Sequence, residues 1–176
     1  MKRIILDLDE TLLTSLIHNS ALAKKIRSGK KHDTINIENE YTTVLRPNLQ
    51  RFLNYVFKNF KVSVWTAASL SYALFIVDNV ILKDHPERKL DFILFNYHSE
   101  FSISKYKLHK DLRVVWDMNI GYNKENTILI DDFDGLGTGG QKNNVYQIEP
   151  FDIKTPRDGM YDTGLRDTKR YLAQFV

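Results

Sequence analysis

The chain has 176 residues and a net charge of only +3, so it fits one domain whose core needs no covalent staples. It has no cysteine, which excludes disulfides and allows a reducing compartment; an intracellular location, cytoplasmic or nuclear, is expected. Only three apolar residues separate Lys2-Arg3 from Asp7, far short of a signal-peptide core. No apolar stretch approaches the roughly 20 residues that span a bilayer, so the chain reads as soluble, with no membrane partner.

The first predicted element covers residues 3–8, where Ile4-Ile5-Leu6-Asp7-Leu8-Asp9-Glu10-Thr11 reads as a buried parallel strand that runs into two aspartates and a threonine. Functional groups of open α/β sheets collect at the carboxyl ends of strands, which makes Asp7 a carboxylate nucleophile facing a crevice. Asp9 lies two residues on, and two carboxylates that close repel unless a divalent cation or a shared proton relieves them. Mg²⁺ meets that need and suits phosphate chemistry. Lys24, Lys25, Arg27, Lys30 and Lys31 follow. Such a run is ordinarily solvated surface; the functional alternative is that it steers a polyanion, either a multiply phosphorylated peptide or a nucleic-acid end. Thr34-Ile35-Asn36-Ile37 and Tyr41-Thr42-Thr43-Val44 bracket Glu38-Asn39-Glu40 as a hairpin.

After Pro47, apolar residues at Leu49, Phe52, Leu53, Val56 and Phe57 give the stripe of an amphipathic helix with proline in its first turn. A strand over 61–65 ends at Thr66-Ala67-Ala68, where the hydroxyl can donate to a phosphate oxygen and the small residues let backbone N–H groups approach it. Leu70, Ala73, Leu74, Val77, Val80 and Ile81 predict a second helix, and residues 91–95 a further strand. Lys110 stands in Leu108-His109-Lys110-Asp111-Leu112; a single lysine is ordinarily solvated. The strand over 127–131 ends in Asp131-Asp132, an acidic pair that is costly at a buried terminus unless a cation holds it. Gly135-Leu136-Gly137-Thr138-Gly139-Gly140 matches a dinucleotide fingerprint, yet Gln141-Lys142-Asn143-Asn144 leads into a strand over 145–148 and no apolar helix follows. It reads as a mobile loop beside the metal site. The histidines at 18, 32, 85, 98 and 109 show no metal-ligand spacing. Alternating strands and helices predict a doubly wound α/β fold with a mainly parallel five-stranded sheet.

Four segments, LDLDET at 6–11, WTAA at 65–68, KDL at 110–112 and ILIDD at 128–132, resemble the four signature motifs of the haloacid dehalogenase superfamily. More narrowly, they resemble the phosphatases that act on the C-terminal domain of RNA polymerase II, whose arginine-proline helix start is matched by Arg46-Pro47. The resemblance covers roughly residues 1 to 150. It implies a Rossmannoid fold with a small β insertion after the first motif, roughly residues 14–45, in a single domain spanning 1–176. It also implies hydrolysis of phosphoserine or phosphothreonine esters in a protein or peptide, through an aspartyl-phosphate and with Mg²⁺. Carried over by position, Asp7 is the nucleophile and Asp9 the general acid and base. Thr66, Ala67 and Lys110 bind phosphate, Thr11 supports the site, and Asp7, the Asp9 carbonyl, Asp131 and Asp132 hold the metal.

Two other readings keep a place. One is a nucleotide or nucleic-acid-end phosphatase on the same scaffold. The other is a non-catalytic interaction module, against which the retention of Asp7, Asp9, Thr66, Lys110 and Asp131 speaks.

Overall fold

The computed structural model describes residues 1–176. Strand β1 (Arg3–Leu6) is followed by β2 (Leu13–Ile17), helix α1 (Ala21–Gly29), β3 (Thr34–Ile37), β4 (Tyr41–Leu45), α2 (Leu49–Asn59) and β5 (Lys61–Trp65). Then come α3 (Leu70–Ile76), β6 (Leu90–Leu94), α4 (Asn96–Tyr106), α5 (Arg113–Trp116), β7 (Thr127–Asp131), β8 (Val145–Gln147) and α6 (Gly164–Leu172). Five strands pair in parallel in the order β6-β5-β1-β7-β8. The chain runs outward from β1 on one side and returns through β7 on the other, so the switch of direction falls between β1 and β7. Crevices for ligands open at such a point.

Strand alternation divides the core into two layers. Ile4 and Leu6 point to one face with Val62, Val64, Ile128 and Ile130, against Leu53 and Val56 of α2, Ile76 of α3 and Leu165 of α6. Ile5 and Leu129 point to the other, with Trp65, Leu94 and Val115 of α5. This confirms the doubly wound sheet.

The insertion is a three-stranded antiparallel sheet of order β2-β4-β3, joined by α1. Its register puts Ser15, Thr43 and Ile35 on one face, and Leu16, Thr42 and Val44 on the other. Leu16 and Val44 pack against Ile26 of α1 and Phe151. The expected hairpin turns through Glu38 (φ 45°) and Asn39 (φ 62°), two successive left-handed residues of the kind a tight hairpin uses.

Two predicted helices differ in detail. Asn48 holds the N-cap position of α2, without a side-chain capping bond, so Pro47 stands just outside the first turn rather than within it. The stripe over 70–81 is α-helical only to Ile76 and continues as a π-helical turn over Val77–Ile81. The carbonyls this turn frees are taken up by side chains: Gln50 Nε2 donates to Val80 O at 2.8 Å, and Arg88 Nη1 donates to Ile81 O.

Beyond residue 148 the chain folds back on the first motif. Phe151 N donates to Glu10 O at 2.6 Å. Arg46, fully buried, forks onto Asp162 at 2.7 and 2.9 Å and also donates to the carbonyls of Thr11 and Glu149. A Cβ on Gly164 would lie 2.1 Å from Arg46 Nη2. Glycine to alanine in an exposed helix ordinarily gains about 1 kcal/mol. Here the clash with a pinned guanidinium decides the sign, and Gly164→Ala is expected to cost about 1–3 kcal/mol, the usual range for overpacking. A thermal melt should fall by roughly 2–10 °C; an unchanged or raised midpoint would contradict the packing.

Candidate active site

Leu6 of β1 pairs with Ile130 of β7, and Asp7 N donates to Ile130 O at 3.0 Å, so Asp7 emerges beside Asp131. Both are buried. The Lys110 ammonium, buried as well, fills the space between them and donates to Asp7 Oδ1 and Asp131 Oδ2, each at 2.6 Å. Thr11 joins the pair to its neighbour: its hydroxyl donates to Asp132 Oδ1 at 2.9 Å, lies 3.4 Å from Asp7 Oδ2, and accepts from Asp132 N at 3.2 Å. One ligand oxygen from each of Asp7, Asp131 and Asp132 lies within 4.8 Å of the others. Three hard oxygen donors with no nitrogen or sulfur among them suit a cation such as Mg²⁺.

Electrostatics make the same case. Burial pushes the Asp7 carboxyl up to about 8, with Lys110 opposing and Asp131 and Asp9 adding to the rise. Burial likewise raises Asp132, against the Thr11 hydrogen bond. Burial disfavours the Lys110 ammonium, but Asp7 and Asp131 outweigh it and hold its pKa above the ordinary lysine value. One ammonium cannot balance three ionised carboxylates, and a divalent cation held by Asp7, Asp131 and Asp132 would supply the missing charge.

Asp9 stands apart from this cluster. Its carboxyl accepts from Tyr72 Oη at 2.5 Å, and Tyr72 in turn meets Ser15, which meets Thr43, each at 2.8 Å. A relay of hydroxyls thus connects Asp9 to the small sheet. Burial raises the Asp9 carboxyl above its ordinary value, with the Tyr72 hydrogen bond opposing. Thr66, at the end of β5, accepts from Ala68 N at 3.0 Å, which leaves its own hydroxyl proton free. The Ala67 N–H has no partner within the chain.

Buried polar residues fix the loop that carries Lys110. Ser102 Oγ donates to Leu108 O and accepts from Asp111 N. Gln141 Nε2 donates to Lys110 O and Leu136 O, while its Oε1 accepts from Leu112 N. The glycine-bearing loop after Asp132 is anchored at Leu136 and Gln141, both buried. His109 stacks on Phe133 with ring centroids 5.4 Å apart, a packing role. The basic segment does not reach the site. Arg27 donates to His18 O and Thr42 Oγ1, and α1 lies behind the small sheet.

A family model described as NLI interacting factor-like phosphatase matches residues 2–176. The chain belongs to that family, within the haloacid dehalogenase superfamily. The match runs past residue 150 and takes in Asp162, the partner of Arg46. This phosphatase-family chain is similar to a CTD phosphatase-like protein, 355R, of invertebrate iridescent virus 6, with 37% identity over 180 residues, 98% of this chain and 97% of the relative. Among solved structures, it resembles Fcp1, an essential RNA polymerase II CTD phosphatase, with a TM-score of 0.60, 16% identity and 98% of this chain covered. The chain spans 48% of that Fcp1 chain, about half its length. It also shares its fold with a β-phosphoglucomutase-like protein from Thermotoga maritima, with a TM-score of 0.54, 12% identity and full coverage of both chains.

The raised Asp7 carboxyl gives the metal-free protein a defined pH dependence. Between the ordinary carboxylate range and about 8 the folded state binds more protons here than the unfolded state, so stability falls as pH rises through that window. Lys110 titrates above the window and adds no slope. In EDTA, the melting temperature of the wild type should fall from pH 6 to 8.5 relative to that of Asp7→Asn, which has no such group. Parallel curves for the two proteins would refute the shift.

Proposed function

We propose that this chain is a Mg²⁺-dependent phosphatase that hydrolyses phosphoserine or phosphothreonine esters in protein, through a phosphoryl group carried on Asp7. The observation that carries this reading is Lys110 at 2.6 Å from both Asp7 and Asp131. That contact sets a carboxylate beside a fixed cation, and an anionic attacker needs such screening to approach a phosphate. Asp7, Asp131 and Asp132 would hold Mg²⁺ through their side chains and Asp9 through its carbonyl; when bound, the ion supplies the positive charge that offsets the phosphoryl oxygens and the carboxylates together.

In the first half-reaction an Asp7 oxygen attacks phosphorus and the bond from phosphorus to the serine or threonine oxygen breaks. Asp9 gives its proton to the departing alkoxide, a poor leaving group without it. The raised Asp9 carboxyl supports that role, and Tyr72 occupies only Oδ1, so Oδ2 is left to carry the proton. In the second half-reaction Asp9 takes a proton from water, the water oxygen attacks the same phosphorus, and the Asp7–phosphoryl bond breaks to release phosphate. Lys110, the Thr66 hydroxyl and the Ala67 N–H bind the phosphoryl oxygens throughout, and Thr11 keeps Asp7 and Asp132 in register.

The name of its viral relative, a CTD phosphatase-like protein, supports a phosphoprotein substrate over a nucleic-acid end. So does the position of α1, whose lysines lie on the far face of the small sheet from Ser15 and Tyr72. A non-catalytic role does not account for a buried lysine held between Asp7 and Asp131 with Asp132 beside them.

Asp7→Asn should lower hydrolysis of p-nitrophenyl phosphate by about a thousandfold or more while the protein stays folded by circular dichroism. Residual activity within about tenfold of wild type, a barrier change of only ~1.4 kcal/mol, would remove Asp7 from the nucleophile's role. Wild-type activity should vanish in EDTA and return with Mg²⁺.

A further inference from the structure

The cleft that opens on Asp9 has a charge character opposite to that of the chain. It measures about 520 Å³ and lies between the β3–β4 hairpin, with Ile37, Glu38, Glu40 and Tyr41, and the start of α3, with Tyr72 and Phe75. The chain contains 25 lysines and arginines and is net positive. None of those 25 lines this cleft; its charged side chains are Asp9, Glu38 and Glu40. The basic residues of the insertion sit elsewhere, Lys25 and Lys31 with Arg157 around a separate depression of about 150 Å³. The sheet register explains the separation, since Ser15, Ile37 and Tyr41 share the face that lines the cleft while Leu16 and Val44 face α1.

Carboxylates beside aromatic rings form a surface for an organic cation. An ammonium or guanidinium gains from the charge and from the face of a tyrosine or phenylalanine, while its aliphatic stem covers apolar wall. A second phosphate or an acidic side chain would meet like charge, and such repulsion discriminates between partners as strongly as attraction does. We propose that the substrate of this site is a phosphopeptide with lysine or arginine beside the phosphorylated residue, and that Glu38 and Glu40 select it. This rests on the phosphatase reading above and names the substrate class for it. Asp9 reacts at the phosphate, while Glu38 and Glu40 on the hairpin turn read the neighbouring residues.

The test uses three phosphoserine peptides of equal length, flanked on both sides of the phosphoserine by lysine, alanine or glutamate. Wild-type protein with Mg²⁺ should show kcat/KM in the order lysine, alanine, glutamate, with the lysine peptide ahead of the glutamate peptide by about tenfold, since each exposed charge pair contributes modestly. In Glu38→Gln/Glu40→Gln that ratio should shrink to within about threefold, and in Glu38→Lys/Glu40→Lys it should invert. The wild-type ratio should also decline from about 0.05 to 0.5 M salt. A wild-type ratio near one, a preference for the glutamate peptide, or a lysine preference that survives Glu38→Gln/Glu40→Gln would overturn the proposal. Release of phosphate from p-nitrophenyl phosphate by the wild type tests the phosphatase reading separately. If no substrate turns over, that reading fails, and fluorescence-anisotropy affinities of labelled copies of the three peptides for the wild type still decide this one by the same ranking.

Discussion

Parallel pairing of β1 with β7 in register leaves Asp7 and Asp131 side by side, one strand spacing apart, roughly 4.8 Å, at the carboxyl ends of the strands. Burial strips both of hydration and their mutual repulsion adds to it, which is why Asp7 is pushed up to about 8. The sheet cannot relax this by moving, because Ile4, Ile5, Leu6, Leu129 and Ile130 are packed in its two core layers. Relief comes from a proton on Asp7 or from cations. Lys110 is one of them, and the arrangement of oxygens is suited to a second.

Much of the remaining structure keeps those charges in place. Lys110 arrives on a loop with no regular structure of its own, and Ser102 and Gln141 hold that loop by its backbone. Arg46 ties the Thr11 carbonyl to the segment after residue 148, so the turn that carries Asp9 is braced from the far end of the chain. Replacing any of these buried polar groups would strand partners that have no water to turn to. The relay Thr43–Ser15–Tyr72 brings the insertion into the same network and ends on Asp9.

The five strands of the main sheet and the hairpin were legible in the sequence because their apolar runs are short, β-branched and bounded by turns. The residues at the strand ends were legible for a related reason: acidic pairs and Thr-Ala-Ala after a buried run have few other uses. α4 gave no signal, since it turns Ser99 and Ser102 inward, to Trp65 Nε1 and to the Lys110 loop, and leaves Tyr97, Phe101 and Ile103 exposed. That pattern reverses the amphipathic rule. Tyr72 lies unmarked within a predicted helix, Gln141 in the link between the glycines and the last strand, and Asp162 beyond the residues that the resemblance covers. Their roles depend on contacts 63, 31 and 116 residues away along the chain, to Asp9, Lys110 and Arg46, which no local pattern encodes.

Whether Asp7, Asp131 and Asp132 take a divalent cation in addition to Lys110 can be read from Mg²⁺ calorimetry. Metal ligands must shed their protons on binding. Titrations of the wild type at pH 7 in two buffers of different ionisation enthalpy should show Mg²⁺ binding with release of about one proton, because the Asp7 carboxyl titrates near 8 without the metal. Binding without proton release, or no binding at millimolar Mg²⁺, would contradict the account.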